Sequence, residues 1–168
     1  MNNRLIILRG PSGAGKSTVA NELFAQAIHK TAIIQQDYYR FIFKPAGGGS
    51  MQNSDAIHKM IVCNCVVALK HGYDVILEGI LSVRSYGEVL DRIIDAHNGS
   101  SYMFYFDVSF EETAKRHQTR KQLSDFDVHD MQKWYEAAHR SNHRLERLIP
   151  EDFSMLRTVK HIQDITGN

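Results

Sequence analysis

Short apolar runs alternate along this chain with longer stretches of helical periodicity. Leu5-Ile-Ile-Leu8 is continuous and β-prone, which predicts a strand buried on both faces. Residues 17–29 follow with Val19, Leu23, Ala27 and Ile28 on one helical face. Ala32-Ile-Ile-Gln35, Asp74-Val-Ile-Leu77 and the aromatic-rich Tyr102–Val108 predict three further strands. Between them, residues 52–71 form an apolar helix stopped by Lys70, His71 and Gly72, and residues 83–97 an amphipathic one with Val83, Tyr86, Leu90, Ile93 and His97 in register.

The C-terminal third carries its own punctuation. Ser109 and Glu112 have the spacing of a capping box, so a helix begins there. Asp127 is the next cap, and Met131, Trp134, Tyr135, Ala138, Leu145 and Leu148 keep helical spacing until Pro150 stops them. Trp134 and Tyr135 therefore read as core. Ser154 caps a last helix with Met155, Val159 and Ile162 inward. A fifth strand near 147–153 is only weakly indicated. From Asp37 to about residue 51 the chain reads as an irregular, mobile excursion with Pro45 and Gly47-Gly48-Gly49, either a loop closing on a substrate or a flexible connection.

Strands alternating with helices of this length imply a parallel sheet covered on both faces. The expectation is an α/β chain: a three-layer α/β/α fold with a central parallel sheet of about five strands. The 168 residues show no linker composition and read as one domain, 1–168.

Composition narrows the class of function. Twenty Lys and Arg against nineteen Asp and Glu leave a formal charge of +1, so bulk charge demands neither a nucleic acid nor an anionic membrane. The first apolar run is too short for a membrane span or signal core. Cys63 and Cys65 stand two apart on a predicted helix, point to nearly opposite sides and read as reduced thiols. A cytoplasmic protein is expected. No histidine pair at metal-binding spacing falls in the predicted cleft, so no zinc site is assigned.

The chemistry concentrates in Gly10, Pro11, Ser12, Gly13, Ala14, Gly15, Lys16 and Ser17, which satisfy G-x-x-x-x-G-K-[ST] between a strand and a helix. Glycines let the loop curl so that backbone N–H groups from Gly13 to Thr18 face phosphate oxygens, assisted by the helix N-terminus. Lys16 spans the β- and γ-phosphates of ATP, and Ser17 offers a hydroxyl to Mg²⁺. A mere glycine turn does not explain a lysine in the first helical turn, where the helix dipole opposes it.

Ligands of an open parallel sheet lie beyond the carboxyl ends of its strands. Asp37 follows the second strand and Glu78 the third. Asp37 is read as the base for an acceptor hydroxyl, Glu78 as the organiser of Mg²⁺ or the acceptor; the spacing leaves the two roles exchangeable. Lys115, Arg116, His117, Arg120 and Lys121 crowd the end of the helix after the fourth strand. Arg116 and Arg120, four apart, are placed on a lid of about residues 116–128 that closes over the transferring phosphoryl group. The other reading is a cationic helix end that complements the dipole. His139, Arg140, His143, Arg144 and Arg147 read as a solvated basic helix face.

With these residues assembled, the chain resembles the small P-loop kinases, in particular the group of chloramphenicol phosphotransferase, zeta toxins, gluconate and shikimate kinases and uncharacterised, uridine kinase-like bacterial kinases. The resemblance runs to about Ile149. It rests on Gly10–Ser17, on Gln36-Asp37, on Val75-Ile-Leu-Glu-Gly79-Ile-Leu, on Phe106-Asp-Val-Ser-Phe-Glu-Glu-Thr113 running into Arg116-His-Gln-Thr-Arg120, and on Met131-Gln-Lys-Trp134-Tyr135. It implies a P-loop NTPase fold with a short helical lid and an ATP- and Mg²⁺-dependent transfer to a small-molecule hydroxyl. Asp37 matches the acid that contacts or deprotonates the acceptor in several members. The chain departs from the uncharacterised subgroup at Glu136-Ala-Ala-His139-Arg140, where an Asp is usual, and carries no complete acceptor signature. A nucleoside or nucleotide kinase is the alternative, and a nucleotide-dependent switch or RNA-related NTPase a second one. No nucleic-acid or membrane partner is expected, and the chain is a monomer or homodimer.

Overall fold

The structure, a computed structural model, describes residues 3–43, 55–118, 128–137 and 140–167. Five parallel strands form one sheet: β1 (Arg4–Arg9), β2 (Thr31–Gln35), β3 (Asp74–Gly79), β4 (Ser100–Asp107) and β5 (Glu146–Pro150), in the order β2-β3-β1-β4-β5. Among the described residues seven helices accompany them: α1 (Lys16–Ala25), α2 (Gln36–Phe41), α3 (Asp55–Lys70), α4 (Val83–Asp95), α5 (Phe110–Gln118), α6 (Val128–Ala137) and α7 (Met155–Thr166).

The alternation of side chains along β1 divides the core. Leu5 and Ile7 join Val75, Leu77 and Met103 beneath α3 and α4; Ile6 and Leu8 join Ile76, Phe104 and Phe106 beneath α1 and α7. Every residue of the central strand β1 is buried, as its unbroken apolar run requires. The three-layer α/β/α fold expected from the sequence is present. Cys63 is exposed and Cys65 buried, on opposite sides of α3. Among the described residues no helix is long and apolar enough to cross a membrane.

Several expectations need correction. The helix assigned from Asp127 to Pro150 is in fact α6, an irregular stretch over 140–143 and the edge strand β5. Leu148 and Ile149 suit either period over so short a run, and pairing with β4 decides it: Ile149 turns into the core and Leu148 faces out. Arg140, His143, Arg144 and Arg147 thus do not share a helix face. Arg140 pairs with Asp107 at the end of β4, while Arg147 stands on β5.

At its other end, α1 stops at Ala25, and Ile28 is exposed rather than packed. Residues 36–41 form a helix where irregular chain was expected, because Gln36 and Tyr39 anchor it inward. Val83 and Met155 lie largely outside the core faces assigned to them. Pro45, Gly47–Gly49, Asp127 and Arg120 lie outside the described residues.

Local capping follows the sequence in part. Ser154 accepts a hydrogen bond from the Arg157 N–H and starts α7. Ser109 accepts one from the Glu112 N–H, but the Glu112 carboxylate does not complete the box: it binds Arg116, and Glu151 takes the Ser109 N–H instead.

Candidate functional site

The carboxyl ends of β1, β2 and β3 bring the candidate residues together. Gly10 follows β1 directly, and the loop runs to Lys16, the first residue of α1. Gly13 has φ +82° and Gly15 φ +94°, a left-handed backbone that side chains resist. A Cβ on Gly13 would stand 3.0 Å from the Thr113 carbonyl, so a side chain there would also press α5 back by a few tenths of an ångström. A Cβ on Gly15 would meet no atom within 4 Å, so its conformation, not crowding, demands glycine.

Among the described residues no side chain caps α1, which leaves the N–H groups of its first turn directed into the loop. The Ala14 N–H is used within the loop itself, donating to the Pro11 carbonyl at 3.3 Å. Lys16 is 6% exposed, and its Nζ donates to the same Pro11 carbonyl at 2.7 Å. The ammonium is thereby held across the loop rather than extended into solvent.

Glu78 is 5% exposed at the end of β3, level with Leu8 of β1 and Gln35 of β2. Its Oε1 accepts from Ser17 Oγ at 3.0 Å and from Gln35 Nε2 at 3.2 Å. Burial pushes its carboxyl above the ordinary range; Lys16 and the Ser17 hydroxyl oppose that rise, and Asp37 adds to it. A hydroxyl and a buried carboxylate side by side are hard oxygen donors of the kind Mg²⁺ takes, and a cation there would offset the cost of keeping Glu78 ionised. Among the described residues no cluster of three or more His, Cys, Asp or Glu could hold a metal.

Gly79, next in line, makes room for Gln36. A Cβ at Gly79 would fall 2.3 Å from Gln36 Oε1, the oxygen that accepts the Leu81 N–H at 3.1 Å. Leu81 is buried at φ +44°, and its carbonyl accepts from Arg9 Nε at 3.1 Å. The turn after β3 is thus gripped from both sides, and Gln36 in turn fixes the start of α2. Asp37 follows on that first turn with its side chain 67% exposed, paired with Arg40 at 3.0 Å. The two acids treated alike in the sequence occupy different settings: Glu78 is buried against Ser17, Asp37 open on the outer side.

Arg116 reaches back from α5. Its Nε donates to Glu112 at 2.8 Å, its Nη1 to the Ala14 carbonyl and its Nη2 to the Glu151 carbonyl, both at 3.3 Å. It therefore joins the phosphate loop to the turn after β5. Beside it opens a mostly apolar cavity of about 280 Å³, whose lining includes Thr18, Val19, Phe106, Arg116, Phe153 and Met155. Sequence reasoning missed this cavity. No short motif announces it, and its walls come from five separate elements, α1, β4, α5, β5 and α7.

Residues 5–147 match the family model described as an AAA domain. No curated protein matches the chain in sequence. Among solved structures, a sugar kinase from Janibacter sp. HTCC2649 aligns with a TM-score of 0.73 at 12% identity over 99% of this chain and 95% of its own. The Mycobacterium tuberculosis APS kinase CysC, in complex with AMPPNP and APS, aligns at 0.72 with 13% identity over 99% of each chain. A gluconokinase from Sinorhizobium meliloti 1021 aligns at 0.66 with 16% identity over 92% of this chain and 86% of its own. At these identities the likeness is one of fold, and the fold is that of the small P-loop kinases.

Proposed function

The chain belongs to this AAA-domain family, and from that premise we propose that it is an ATP- and Mg²⁺-dependent phosphotransferase acting on a hydroxyl of a small molecule. The observation that carries the reading is the meeting of Lys16, Ser17 and Glu78 at the mouth of an uncapped, glycine-hinged loop. Lys16 and the first-turn N–H groups of α1 hold the β- and γ-phosphates. Ser17 and Glu78 hold Mg²⁺, which when bound neutralises charge on the transferring group. Asp37 stands on the acceptor side and receives the hydroxyl proton. Arg116 orients the nucleotide between the loop and the cavity of about 280 Å³, which takes the base. Arg120 is assigned with it to the closing lid.

Burial supports giving Glu78 to the metal and Asp37 to the acceptor. A carboxylate enclosed with the phosphate-loop serine cannot also reach outward, whereas an exposed one on α2 can approach a diffusing acceptor. The protein works in solution as a monomer or homodimer, in the cytoplasm.

The test is ADP release from Mg·ATP with a panel of sugars, sugar acids, nucleosides and phenicol antibiotics, with the phosphorylated product identified by mass. Stimulation by one class, abolished in Lys16→Ala, is expected. Stimulation by none, with RNA- or protein-dependent turnover in its place, would refute the kinase reading in favour of a nucleotide switch.

A further inference from the structure

The exposed side of α2 is unusual for a short surface helix. Its sequence is Gln36-Asp-Tyr-Tyr-Arg-Phe41, and only Gln36 and Tyr39 are buried. Tyr38 is 65% exposed and Phe41 72%, with Ile42 just beyond the helix also exposed. Phe41 is four residues from Asp37 and three from Tyr38, so Asp37, Phe41 and Tyr38 form one continuous face. An aromatic surface left in water beside a candidate catalytic carboxylate is a recognition feature, since apolar groups gathered on a surface mark contact sites.

The surface is also prepared. The Tyr38 ring stands edge-on to that of Tyr39, centroids 5.7 Å apart at 86°. Tyr39 is itself packed in the core, and its hydroxyl accepts from Asn64 Nδ2 of α3 at 2.8 Å. Asn64 thus holds Tyr39, and Tyr39 sets the orientation of Tyr38. The charged side chains of α2 are Asp37 and Arg40, paired with each other, so the helix offers no excess positive charge for a polyanion.

We propose that this face is the acceptor platform and that the acceptor is a neutral alcohol carrying a planar aromatic ring, in the form of a nucleoside. The ring lies on Tyr38 and Phe41, and the sugar hydroxyl meets Asp37, which precedes Tyr38 and stands one helical turn from Phe41, roughly 6 Å along the axis. This rests on the phosphotransferase reading above and adds the acceptor class to it. The acceptor oxygen attacks the γ-phosphorus, its proton passes to Asp37, and the bond from that phosphorus to the β–γ bridging oxygen breaks. ADP leaves with the bonding pair, and the other product is a nucleoside monophosphate.

The experiment measures Mg·ATP binding by calorimetry and then turnover with uridine, adenosine, chloramphenicol, gluconate, glucose and a 5′-hydroxyl oligoribonucleotide. The proteins are wild type, Tyr38→Ala, Phe41→Ala and Tyr38→Phe. Both aromatic side chains are exposed, so their removal leaves the fold intact, which a melting curve checks. The expected result is turnover with uridine or adenosine, a rise of about 5- to 150-fold in nucleoside KM in each alanine variant, near wild-type behaviour in Tyr38→Phe, and ATP affinity within about twofold throughout. Turnover with gluconate or glucose in place of nucleosides, or unchanged nucleoside KM in both alanine variants, overturns the proposal while leaving the phosphotransferase reading standing. Turnover with chloramphenicol alone, or with the oligoribonucleotide alone, overturns the nucleoside assignment. Failure of the wild type to bind Mg·ATP overturns the parent reading and this one with it.

Discussion

Ser17 and Glu78, sixty-one residues apart in sequence, meet through a 3.0 Å hydrogen bond at the carboxyl edge of the sheet. The contact ties the phosphate loop to the end of β3 and places a buried carboxylate next to the hydroxyl proposed to face Mg²⁺. Glu78→Gln keeps the shape and removes the charge. It should weaken Mg²⁺ dependence of nucleotide binding by about 10- to 100-fold, while binding of ATP in EDTA changes little. Titrations with and without Mg²⁺ separate the two, and an unaltered Mg²⁺ dependence would count against the assignment.

The same carboxylate sets a pH dependence. Its native pKa lies above that of the unfolded chain, about 4.3, because burial disfavours its charged form. The native state therefore binds the proton more tightly than the unfolded state, and stability falls as pH rises from the unfolded value through the raised native one. Melting temperatures in EDTA should show that fall in wild type and lose that component in Glu78→Gln, with Mg²⁺ restoring stability to wild type above the window. Parallel profiles for the two proteins would contradict it.

Gly79→Ala places a Cβ 2.3 Å from Gln36 Oε1 and 2.5 Å from Gln36 Cβ. Something must shift, at a cost of about 1–3 kcal/mol, and the piece that shifts carries Asp37 with it. Denaturant unfolding of Gly79→Ala, Gln36→Gly and the double variant should show strong coupling, with the double variant more stable than the sum of the singles predicts. Additive effects would mean that Gln36 does not occupy the space Gly79 leaves.

These positions mark what the sequence could and could not convey. The phosphate loop was legible because its chemistry is local: glycines, lysine and serine sit within eight residues between a strand and a helix. The strands were legible because buried parallel strands are apolar runs. The seat of Gln36 on Gly79 was not, since it depends on residues in different elements brought together by strand register. Strand β5 was only weakly indicated, and its residues also fitted the helix before them, because five residues at an edge, with Ile149 alone buried, carry too little periodicity to decide. Arg116 was noticed as a cation on a helix, but its bonds to Ala14 and Glu151 depend on how α5 lies over the loop.

Arg9 offers a separate test of the architecture behind the loop. It is fully buried, paired with Glu146 of β5 and bonded to the Leu81 carbonyl, while Glu146 also accepts from the Ser141 N–H and hydroxyl. Arg9→Met should destabilise the protein by about 3–5 kcal/mol by leaving the carboxylate uncompensated. Arg9→Met with Glu146→Leu should recover part of that loss. Urea denaturation reads both, and a double variant no better than the single would show that the pair is not what Arg9 supports.

Arg116→Ala removes the bridge between the loop and the turn after β5. ATP affinity should fall by about tenfold, the worth of a charged hydrogen bond, with thermal stability little changed because the side chain is partly exposed. A large loss of stability with unchanged affinity would make Arg116 a structural tie only.

The most direct test of the central claim is calorimetric titration of Mg·ATP into wild type and Lys16→Ala. The geometry of the loop predicts saturable one-site binding in wild type and at least about tenfold weaker binding in the variant, with both proteins equally folded. Equal affinity in the two proteins, or no binding in either, would contradict the assignment of Gly10–Ser17 as the phosphate site on which the whole account stands.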